Sequence, residues 1–281
     1  MPALIPGLSE IADRYDAVLS DVWGVIHNGR ESFPAAIDAL QKFKQSRGPV
    51  VLISNAPRPA DAVVSQLDAL GVPRESWSAF VTSGDATRIE LKKLGRGPAW
   101  AIGPERDQPL YEGLDMEFSG PEDAAFLCVT GPYDDETERP EDYRERLSGP
   151  AARKLPMVCA NPDRVVQRGD RLIYCAGALA DVYAALGGPV IMVGKPFGPI
   201  YDLACEQAAG AADRRIERAL AIGDAVATDV RGANQRGLDC LFVAQGIHAA
   251  ELANPLDAAD VRAMLEREGG RAAYAISELR W

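Results

Sequence analysis

Short apolar runs alternate with amphipathic stretches at both ends of the chain. Apolar runs of four or five residues predict strands, and apolar positions at helical spacing between them predict helices. The predicted strands cover 17–20, 49–53, 79–82, 190–193, 219–222 and 239–243, and the predicted helices cover 34–46, 59–70, 199–210 and 227–236. Pro34 and Pro199 suit first helical turns, and glycines follow three of these regions as helix stops. This alternation predicts a parallel α/β sheet with crossover helices.

Polar residues follow several of these runs at the point where each predicted strand ends. Asp21 comes after the first run, and Asp224 and Asp229 come after the run at 219–222. Ser54 and Lys195 end two further apolar runs. Open α/β sheets bind their ligands at the carboxyl ends of the strands. The sequence therefore predicts one site that gathers carboxylates, a hydroxyl and a lysine.

The order of these motifs resembles the haloacid dehalogenase superfamily, most of whose members are magnesium-dependent phosphatases. The motifs are Asp21-Val22-Trp23-Gly24-Val25, Ile53-Ser54-Asn55, Val193-Gly194-Lys195-Pro196 and Gly223-Asp224 with Asp229. The segments Lys195 to Tyr201 and Thr228 to Ala233, followed by Gly237, are similar to those of subfamily IIA. That group has a large C2-type cap and includes nitrophenylphosphatase, phosphoglycolate phosphatase and pyridoxal phosphatase. The resemblance implies a Rossmann-like parallel-sheet core with an inserted α/β cap.

Motif spacing predicts where the inserted domain lies. Asp21 and Ser54 are 33 positions apart, which leaves room for one helix and one strand, whereas 141 positions separate Ser54 from Lys195. The insertion therefore follows the second strand. We expect a core domain of residues 1–83 and 189–281 and a cap domain of residues 84–188.

The resemblance assigns a role to each motif. It implies that Asp21 is the nucleophile, and that Mg²⁺ is held by Asp21, Asp224 and the backbone carbonyl of Trp23. Asp229 is expected just outside the ligand set, orienting a metal-bound water or Lys195. Lys195 would neutralise Asp21 and hold the phosphate.

Ser54 and the backbone N–H of Asn55 suit phosphate binding at a helix N-terminus. A simple helix cap explains Ser54 equally well. Asp229 likewise suits the first turn of a helix, where the dipole favours a carboxylate.

Trp23 departs from the family pattern, which usually has a second Asp at this place to protonate the leaving oxygen and activate water. The indole N–H only donates hydrogen bonds, so Trp cannot replace that acid and base. His27 is a hypothetical replacement, although a surface-loop histidine is the simpler interpretation. Dehalogenases of the superfamily also lack the second Asp, but their cap lies between the first two motifs, where this chain has no room.

Residues of the predicted cap are expected to choose the substrate. Asn161 and Asp163 resemble the subfamily's Asn-x-Asp segment, although an ordinary turn explains them too. Ala176 and Gly177 resemble its specificity loop, without the usual preceding proline. An inward-facing Asp163 favours sugar or polyol phosphates over substrates with a second anion, while nucleotide and vitamin phosphates stay open.

Composition limits the other classes of function. The net charge of −11 and the isoelectric point near 4.8 argue against nucleic acid or an anionic membrane as partner. No apolar stretch approaches the roughly 20 residues that span a bilayer. The five cysteines form no Cys-x-x-Cys pair, which favours a reduced, cytoplasmic protein.

The predicted function is Mg²⁺-dependent hydrolysis of a small phosphorylated metabolite. Two alternatives stay open: a weakened enzyme that binds or senses such a metabolite, and a phosphotransferase. The resemblance also implies a homodimer formed through the cap.

Overall fold

The predicted apolar strands form parallel sheets in the computed structural model, which describes residues 1–168 and 171–281. The chain divides into two units. The first unit holds residues 1–54, 64–81 and 200–281, and the second unit holds residues 55–63 and 82–199.

The first unit is built on a seven-stranded sheet in the order β1-β13-β12-β11-β2-β3-β4. Its strands are β1 (Ala3–Leu4), β2 (Ala17–Asp21), β3 (Val50–Ser54), β4 (Ala79–Thr82), β11 (Ala219–Gly223), β12 (Asp239–Val243) and β13 (Tyr274–Ile276). Its helices are α1 (Pro34–Ser46), α2 (Ala60–Ala69), α6 (Gly198–Ala212), α7 (Arg231–Gln235) and α8 (Ala258–Arg267). The first turn of α2, up to residue 63, and the start of α6, up to residue 199, belong to the second unit. The strand β11 pairs in parallel with both β2 and β12. The carboxyl ends of these three strands therefore lie side by side.

Burial explains why these short strands are apolar throughout. Every residue of β2 and β11 is buried, as expected for parallel strands covered on both faces. Helix α1 turns its apolar stripe inward and buries Leu40 and Phe43. Full burial of one such side chain contributes about 1.5–3 kcal/mol, so the strands that carry the candidate site are held firmly.

The second unit contains a four-stranded parallel sheet in the order β10-β7-β6-β5 and an antiparallel hairpin. The sheet strands are β5 (Ala99–Ile102), β6 (Phe126–Val129), β7 (Met157–Cys159) and β10 (Val190–Met192), and the hairpin strands are β8 (Val165–Arg168) and β9 (Arg171–Tyr174). Its helices are α3 (Ser83–Leu94), α4 (Arg144–Ala152) and α5 (Ala176–Ala185). Tyr143 and Tyr183 are fully buried in its core, and the Tyr183 hydroxyl donates to the backbone oxygen of Leu155 at 2.7 Å. The second unit therefore has an apolar core of its own.

The strand at Val190–Met192 differs from the expectation that it belongs to the core sheet. It pairs in parallel with β7, in register from Val190 opposite Met157 to Met192 opposite Cys159. Helix α5 packs on β6, β7 and β10, so the chain leaves β7, passes through the hairpin and α5, and returns beside β7. The predicted cap of residues 84–188 lies inside the second unit, which also takes in 55–63, 82–83 and 189–199.

The region predicted as a helix at 227–236 also has a different form. A π-helical turn covers Val226–Val230, and α7 follows it. The wider turn brings the N–H groups of both Asp229 and Val230 to the backbone oxygen of Ala225. It thereby directs Asp229 back towards the end of β11.

Candidate active site

Three buried aspartates meet at the carboxyl edge of the seven-stranded sheet. Asp21 ends β2, Asp224 follows β11 directly, and Asp229 lies in the π-helical turn. One carboxylate oxygen from each lies within 4.8 Å of the others, and the three residues are at most 8% exposed. Adjacent parallel strands bring Asp21 and Asp224 together, as their positions after two apolar runs predict.

Asp224 is held by loops from the two strands that flank β11. The backbone N–H of Ile247, just beyond β12, donates to Asp224 Oδ2 at 2.7 Å. A Cβ added at Gly246 would lie 1.9 Å from this oxygen, and one at Gly24, just beyond β2, would lie 2.1 Å from it. Both glycines are therefore needed where the backbone approaches the carboxylate closely. The positive φ of 81° at Gly24 adds a second reason for glycine there.

Gly246 and Ile247 are site residues that the sequence analysis missed. They come three and four residues after the apolar run of β12. A glycine just past a strand end is the sequence signal that could have found Gly246, because Gly24 occupies the same kind of position after β2.

Asp229 is fixed by the backbone around it. Its Oδ2 accepts a hydrogen bond from the N–H of Ala225 at 3.2 Å. A Cβ added at Gly223 would lie 2.2 Å from the Asp229 Cβ, so only glycine allows the side chain to pack against the end of β11. The carboxylate is thereby oriented towards the other two.

The donor set fits a hard divalent cation. Mg²⁺ and Ca²⁺ prefer oxygen ligands, and this cluster offers carboxylate oxygens from three residues. Buried carboxylates at such distances repel each other, and a bound cation offsets that repulsion. Asp21, Asp224 and the backbone carbonyl of Trp23 are the predicted ligands.

Trp23 lies two residues beyond Asp21 along the chain, and its side chain is 40% exposed. The ring packs on Gly29, where an added Cβ would lie 2.2 Å from Cη2. It also meets the His27 ring edge-on, with centroids 5.1 Å apart. A backbone hydrogen bond closes the loop that carries Trp23, because the N–H of Gly24 donates to the backbone oxygen of His27 at 2.8 Å.

His27 is a buried residue, and the expectation of a surface-loop histidine is wrong. It is 3% exposed, and its Nδ1 accepts a hydrogen bond from the N–H of Gly29 at 2.9 Å. Burial lowers the pKa of His27 to about 4, so the ring is neutral near pH 7 and lacks the proton of an imidazolium acid. The residue supports the loop that carries Trp23 and does not fit the role of replacement acid.

Asn55 is the centre of a polar cluster in the second unit. Its Nδ2 donates to Asp163 Oδ1 at 2.9 Å and to the backbone oxygen of Lys195 at 3.2 Å. Its Oδ1 accepts the N–H of Lys195 at 2.7 Å. Asn55 and Lys195 are 7% and 4% exposed. The Asn55 side chain therefore organises the lysine motif and the Asn-x-Asp segment together.

Asn161, Ala176 and Gly177 join the same cluster. Asn161 Oδ1 accepts the N–H of Asp163 at 3.1 Å, which forms an Asx turn. The N–H of Gly177 donates to the backbone oxygens of Asn161 and Asp163, and a Cβ at Gly177 would lie 2.2 Å from the Pro162 oxygen. Ala176 is the fully buried first residue of α5.

The structure therefore gathers the predicted residues in two groups. Asp21, Asp224 and Asp229 form the first, and Asn55, Asn161, Asp163, Gly177 and Lys195 form the second. Ser54 ends β3 and is half-buried.

Comparison with known proteins identifies this parallel sheet, with an aspartate at the end of a central strand, as that of a phosphatase-type hydrolase. The family model for haloacid dehalogenase-like hydrolases matches residues 18–117, and a second model, for HAD-hydrolase-like proteins, matches residues 192–265. A crystal structure of a haloacid dehalogenase-like hydrolase from Brucella suis is 43% identical to this chain. It covers 99% of this chain and 100% of its own, with a TM-score of 0.86. The chain belongs to the haloacid dehalogenase-like hydrolase family.

Two further relatives carry named activities. The 5'-nucleotidase YutF of Bacillus subtilis is 24% identical over 84% of this chain and 90% of its own length. The structure of a glycerol phosphate phosphatase from Mycobacterium tuberculosis, in complex with calcium, is 25% identical over 84% of this chain and 68% of its own, with a TM-score of 0.64. Among the helices of the described residues, none has both the length and the apolar character of a membrane span.

Proposed function

We propose that this protein hydrolyses a small phosphate monoester with Mg²⁺, through an aspartyl-phosphate intermediate on Asp21. The observation that carries the proposal is the buried cluster of Asp21, Asp224 and Asp229 at adjacent strand ends. Membership of a hydrolase family with phosphatase relatives supports it.

Asp21 is the proposed nucleophile. One of its carboxylate oxygens forms a bond to phosphorus, while the bond from phosphorus to the ester oxygen breaks and leaves its electron pair on that oxygen. Water then attacks the acyl phosphate, which releases inorganic phosphate and restores the carboxylate. The covalent intermediate divides one difficult displacement into two easier ones.

The Mg²⁺ would be held by Asp21, Asp224 and the backbone carbonyl of Trp23. Asp229 would orient a metal-bound water or Lys195. When bound, the ion offsets the charge of the carboxylates and polarises the phosphoryl oxygens. Lys195, Ser54 and the N–H of Asn55 are proposed to bind the phosphoryl group. The calcium in the glycerol phosphate phosphatase structure supports a divalent ion in this family and leaves Mg²⁺ as our prediction.

We predict that the second unit favours sugar and polyol phosphates as substrates. The reason is Asp163, because a carboxylate suits hydroxyl groups better than a second anion. The names of two relatives support a polyol phosphate and a nucleotide respectively. Asp163 Oδ1 already accepts from Asn55, however, so part of its capacity serves the fold.

A phosphate-ester panel tests the proposal, with and without Mg²⁺. Asp21→Asn removes the nucleophile, and Asp38→Asn, on the exposed side of α1 in the same unit, is the matched control. Metal-dependent turnover that Asp21→Asn abolishes and Asp38→Asn retains supports the proposal. Equal turnover in the two variants would contradict it.

Two rival functions make different predictions in the same assay. A sensor would bind phosphate esters without Asp21-dependent turnover. A phosphotransferase would release less inorganic phosphate than alcohol when a second alcohol is added. A cytoplasmic location, for which the five free cysteines are the motive, and a homodimer formed through residues 84–188 also stay predictions, which fractionation and sedimentation would test.

A further inference from the structure

Helix α3 begins against segment 55–60, the stretch of chain that runs from Asn55 to the first residue of α2. The N–H of Gly84 donates to the backbone oxygen of Ala56 at 3.0 Å. The hydroxyl of Thr82 donates to the backbone oxygen of Arg58 at 2.7 Å. A Cβ added at Gly84 would lie 2.4 Å from the backbone carbon of Arg58, so glycine is needed for the two backbones to approach this closely. The first turn of α3 is therefore fixed to the middle of the segment.

Asp85 binds the N-termini of two helices with one carboxylate. In α3 it forms a capping box with Thr82, in which each side chain accepts the N–H of the other residue at 3.0 Å. Asp85 Oδ2 also accepts the N–H of Ala60, the first residue of α2, at 3.2 Å. Pro59 precedes Ala60 and has no side-chain acceptor. Asp85 thus caps α2 from another helix, and a carboxylate suits the positive ends of both helix dipoles.

The opposite end of the segment holds a group that the proposed function assigns to phosphate binding. Asn55 Oδ1 accepts the N–H of Lys195 at 2.7 Å, and Asn55 Nδ2 donates to the backbone oxygen of Lys195 at 3.2 Å. A Cβ added at Gly194 would lie 2.5 Å from Asn55 Oδ1, so the lysine motif packs directly on the amide. A displacement of Asn55 must therefore displace Lys195 as well.

The residues between the two ends form a stiff connection. Pro57 and Pro59 each have a φ fixed by their rings. Ala56 and Arg58 each precede a proline, which restricts their backbones to extended conformations. All four residues between Asn55 and Ala60 therefore have little conformational freedom. A shift of the segment at Ala60 is transmitted to Asn55 because little of it can be absorbed on the way.

From these contacts we infer that Asp85 is a positioning residue for phosphate binding, which acts through Ala60 and segment 55–60 on the N–H of Asn55 and on Lys195. This inference rests on the proposed function, in which those two groups bind the phosphoryl group. The hydrogen bonds described for the Asp85 carboxylate go to Thr82 and Ala60, so its effect on phosphate is indirect. Phosphate in the substrate and the free phosphate ion should depend on it alike.

Steady-state kinetics of Asp85→Ala test the inference. KM for the best phosphate ester and the inhibition constant of inorganic phosphate should both rise by about 10- to 100-fold, since a misplacement of about 1 Å costs up to about 10²-fold. The kcat should stay close to that of the natural protein, the pattern expected for lost uniform binding. Asp85→Asn keeps one acceptor oxygen for the N–H groups of Thr82 and Ala60, and should recover most of the loss.

Asp142→Ala is the matched control. Asp142 is an exposed aspartate of the same unit, and its Oδ2 accepts the N–H of Arg139 at 2.8 Å in a capping contact of the same kind. Its removal deletes a cap without touching segment 55–60, so KM and the inhibition constant of phosphate should not change. If Asp142→Ala raised them as much as Asp85→Ala does, general loss of stability would explain both variants and the inference would be overturned.

Two measurements decide the inference without turnover. Titration calorimetry with inorganic phosphate should show weaker binding to Asp85→Ala than to Asp142→Ala. Amide hydrogen exchange of a peptide covering 55–62 should be about 10- to 100-fold faster in Asp85→Ala, the equivalent of one hydrogen bond to a charged group, while exchange in β6 stays unchanged. Equal phosphate affinity in the two variants, or unchanged exchange in the segment, would refute the role of Asp85. Turnover that survives Asp21→Asn would contradict the proposed mechanism alone, because phosphate affinity is measured separately.

Discussion

The close approach of Gly246 to Asp224 makes a sharp prediction for Gly246→Ala. The added Cβ would lie 1.9 Å from Asp224 Oδ2 and 2.4 Å from Cγ. Real Cβ contacts are essentially never below 3.0 Å, so either the carboxylate or the loop must move by about 1 Å. Gly246 has no left-handed φ, so the substitution acts through this clash and not through backbone strain.

The expected magnitude follows from the hydrogen bond that the displacement breaks. The N–H of Ile247 donates to Asp224 Oδ2 at 2.7 Å, and a hydrogen bond to a charged group contributes about 1.5–3 kcal/mol. At 1.4 kcal/mol per factor of ten this equals about 10- to 100-fold in affinity. Loss of an outer contact to a metal ligand has an effect of the same size, about 10–100-fold. We therefore expect the apparent Kd for Mg²⁺ to rise by about 10- to 100-fold.

Titration calorimetry with Mg²⁺ or Mn²⁺ on the purified variant measures this change directly. Gly210→Ala, in α6 of the same unit, is the matched control because nothing lies within 4 Å of its added Cβ. A thermal melt of both variants checks that each is folded. If Gly246→Ala bound the ion as tightly as Gly210→Ala, the role of this glycine in positioning Asp224 would be refuted.

Three further predictions concern the metal, the second unit and pH. Mg²⁺ at about 100 times its Kd should stabilise the protein by about 2.7 kcal/mol, seen as a higher Tm that falls on chelation, and Asp224→Asn should lose that rise. Asn55→Ala should lower the free energy of unfolding, measured in urea, by about 1–3 kcal/mol, because it removes the side-chain amide that binds the buried N–H and backbone oxygen of Lys195. An unchanged free energy of unfolding would contradict the role of Asn55 in holding the lysine motif. His27 should make stability fall as pH falls from about 6.5 to about 4, because the unfolded chain takes up a proton that the buried ring does not. His27→Asn keeps an acceptor for the N–H of Gly29, and its free energy of unfolding should change by about 3 kcal/mol less than that of the natural protein across this pH window. Identical urea midpoints for the two proteins at each pH would contradict this.

The core of the fold could be read from local patterns because its strands are buried on both faces. The predicted and observed bounds of β2, β3, β11 and β12 agree within one residue, and helix α1 agrees at both ends. The short strands β1 and β13, at one side of the seven-stranded sheet, were not predicted, since two or three residues carry no periodicity. Pairing of β10 with β7 escaped for another reason: which sheet a short apolar run joins is decided by the helix that precedes it.

The candidate site shows the same division. Asp21 and Asp224 could be predicted together because adjacent parallel strands end at the same edge. The approach of Gly246 to Asp224 depends on a loop more than 20 residues further along the chain, and spacing does not encode such a contact. Burial of His27 was missed because a polar residue in a short loop is ordinarily exposed, whereas here the ring packs beneath an indole.

The structure separates two tasks that the family pattern places next to each other. Gly24 and Gly246, in the loops beyond β2 and β12, allow the backbone to approach Asp224 closely, and the N–H of Ile247 binds its Oδ2. None of these contacts needs an aspartate at position 23. The residue at position 23 affects the leaving group through its side chain, while the predicted metal contact uses its backbone carbonyl. Trp23→Asp should therefore change the dependence on leaving-group pKa and alter Mg²⁺ affinity by less than Gly246→Ala does. Gly246→Ala should weaken Mg²⁺ binding and leave the leaving-group dependence at saturating metal unchanged. If each variant changed both quantities equally, positioning of the metal and departure of the leaving group would be one coupled function of this site.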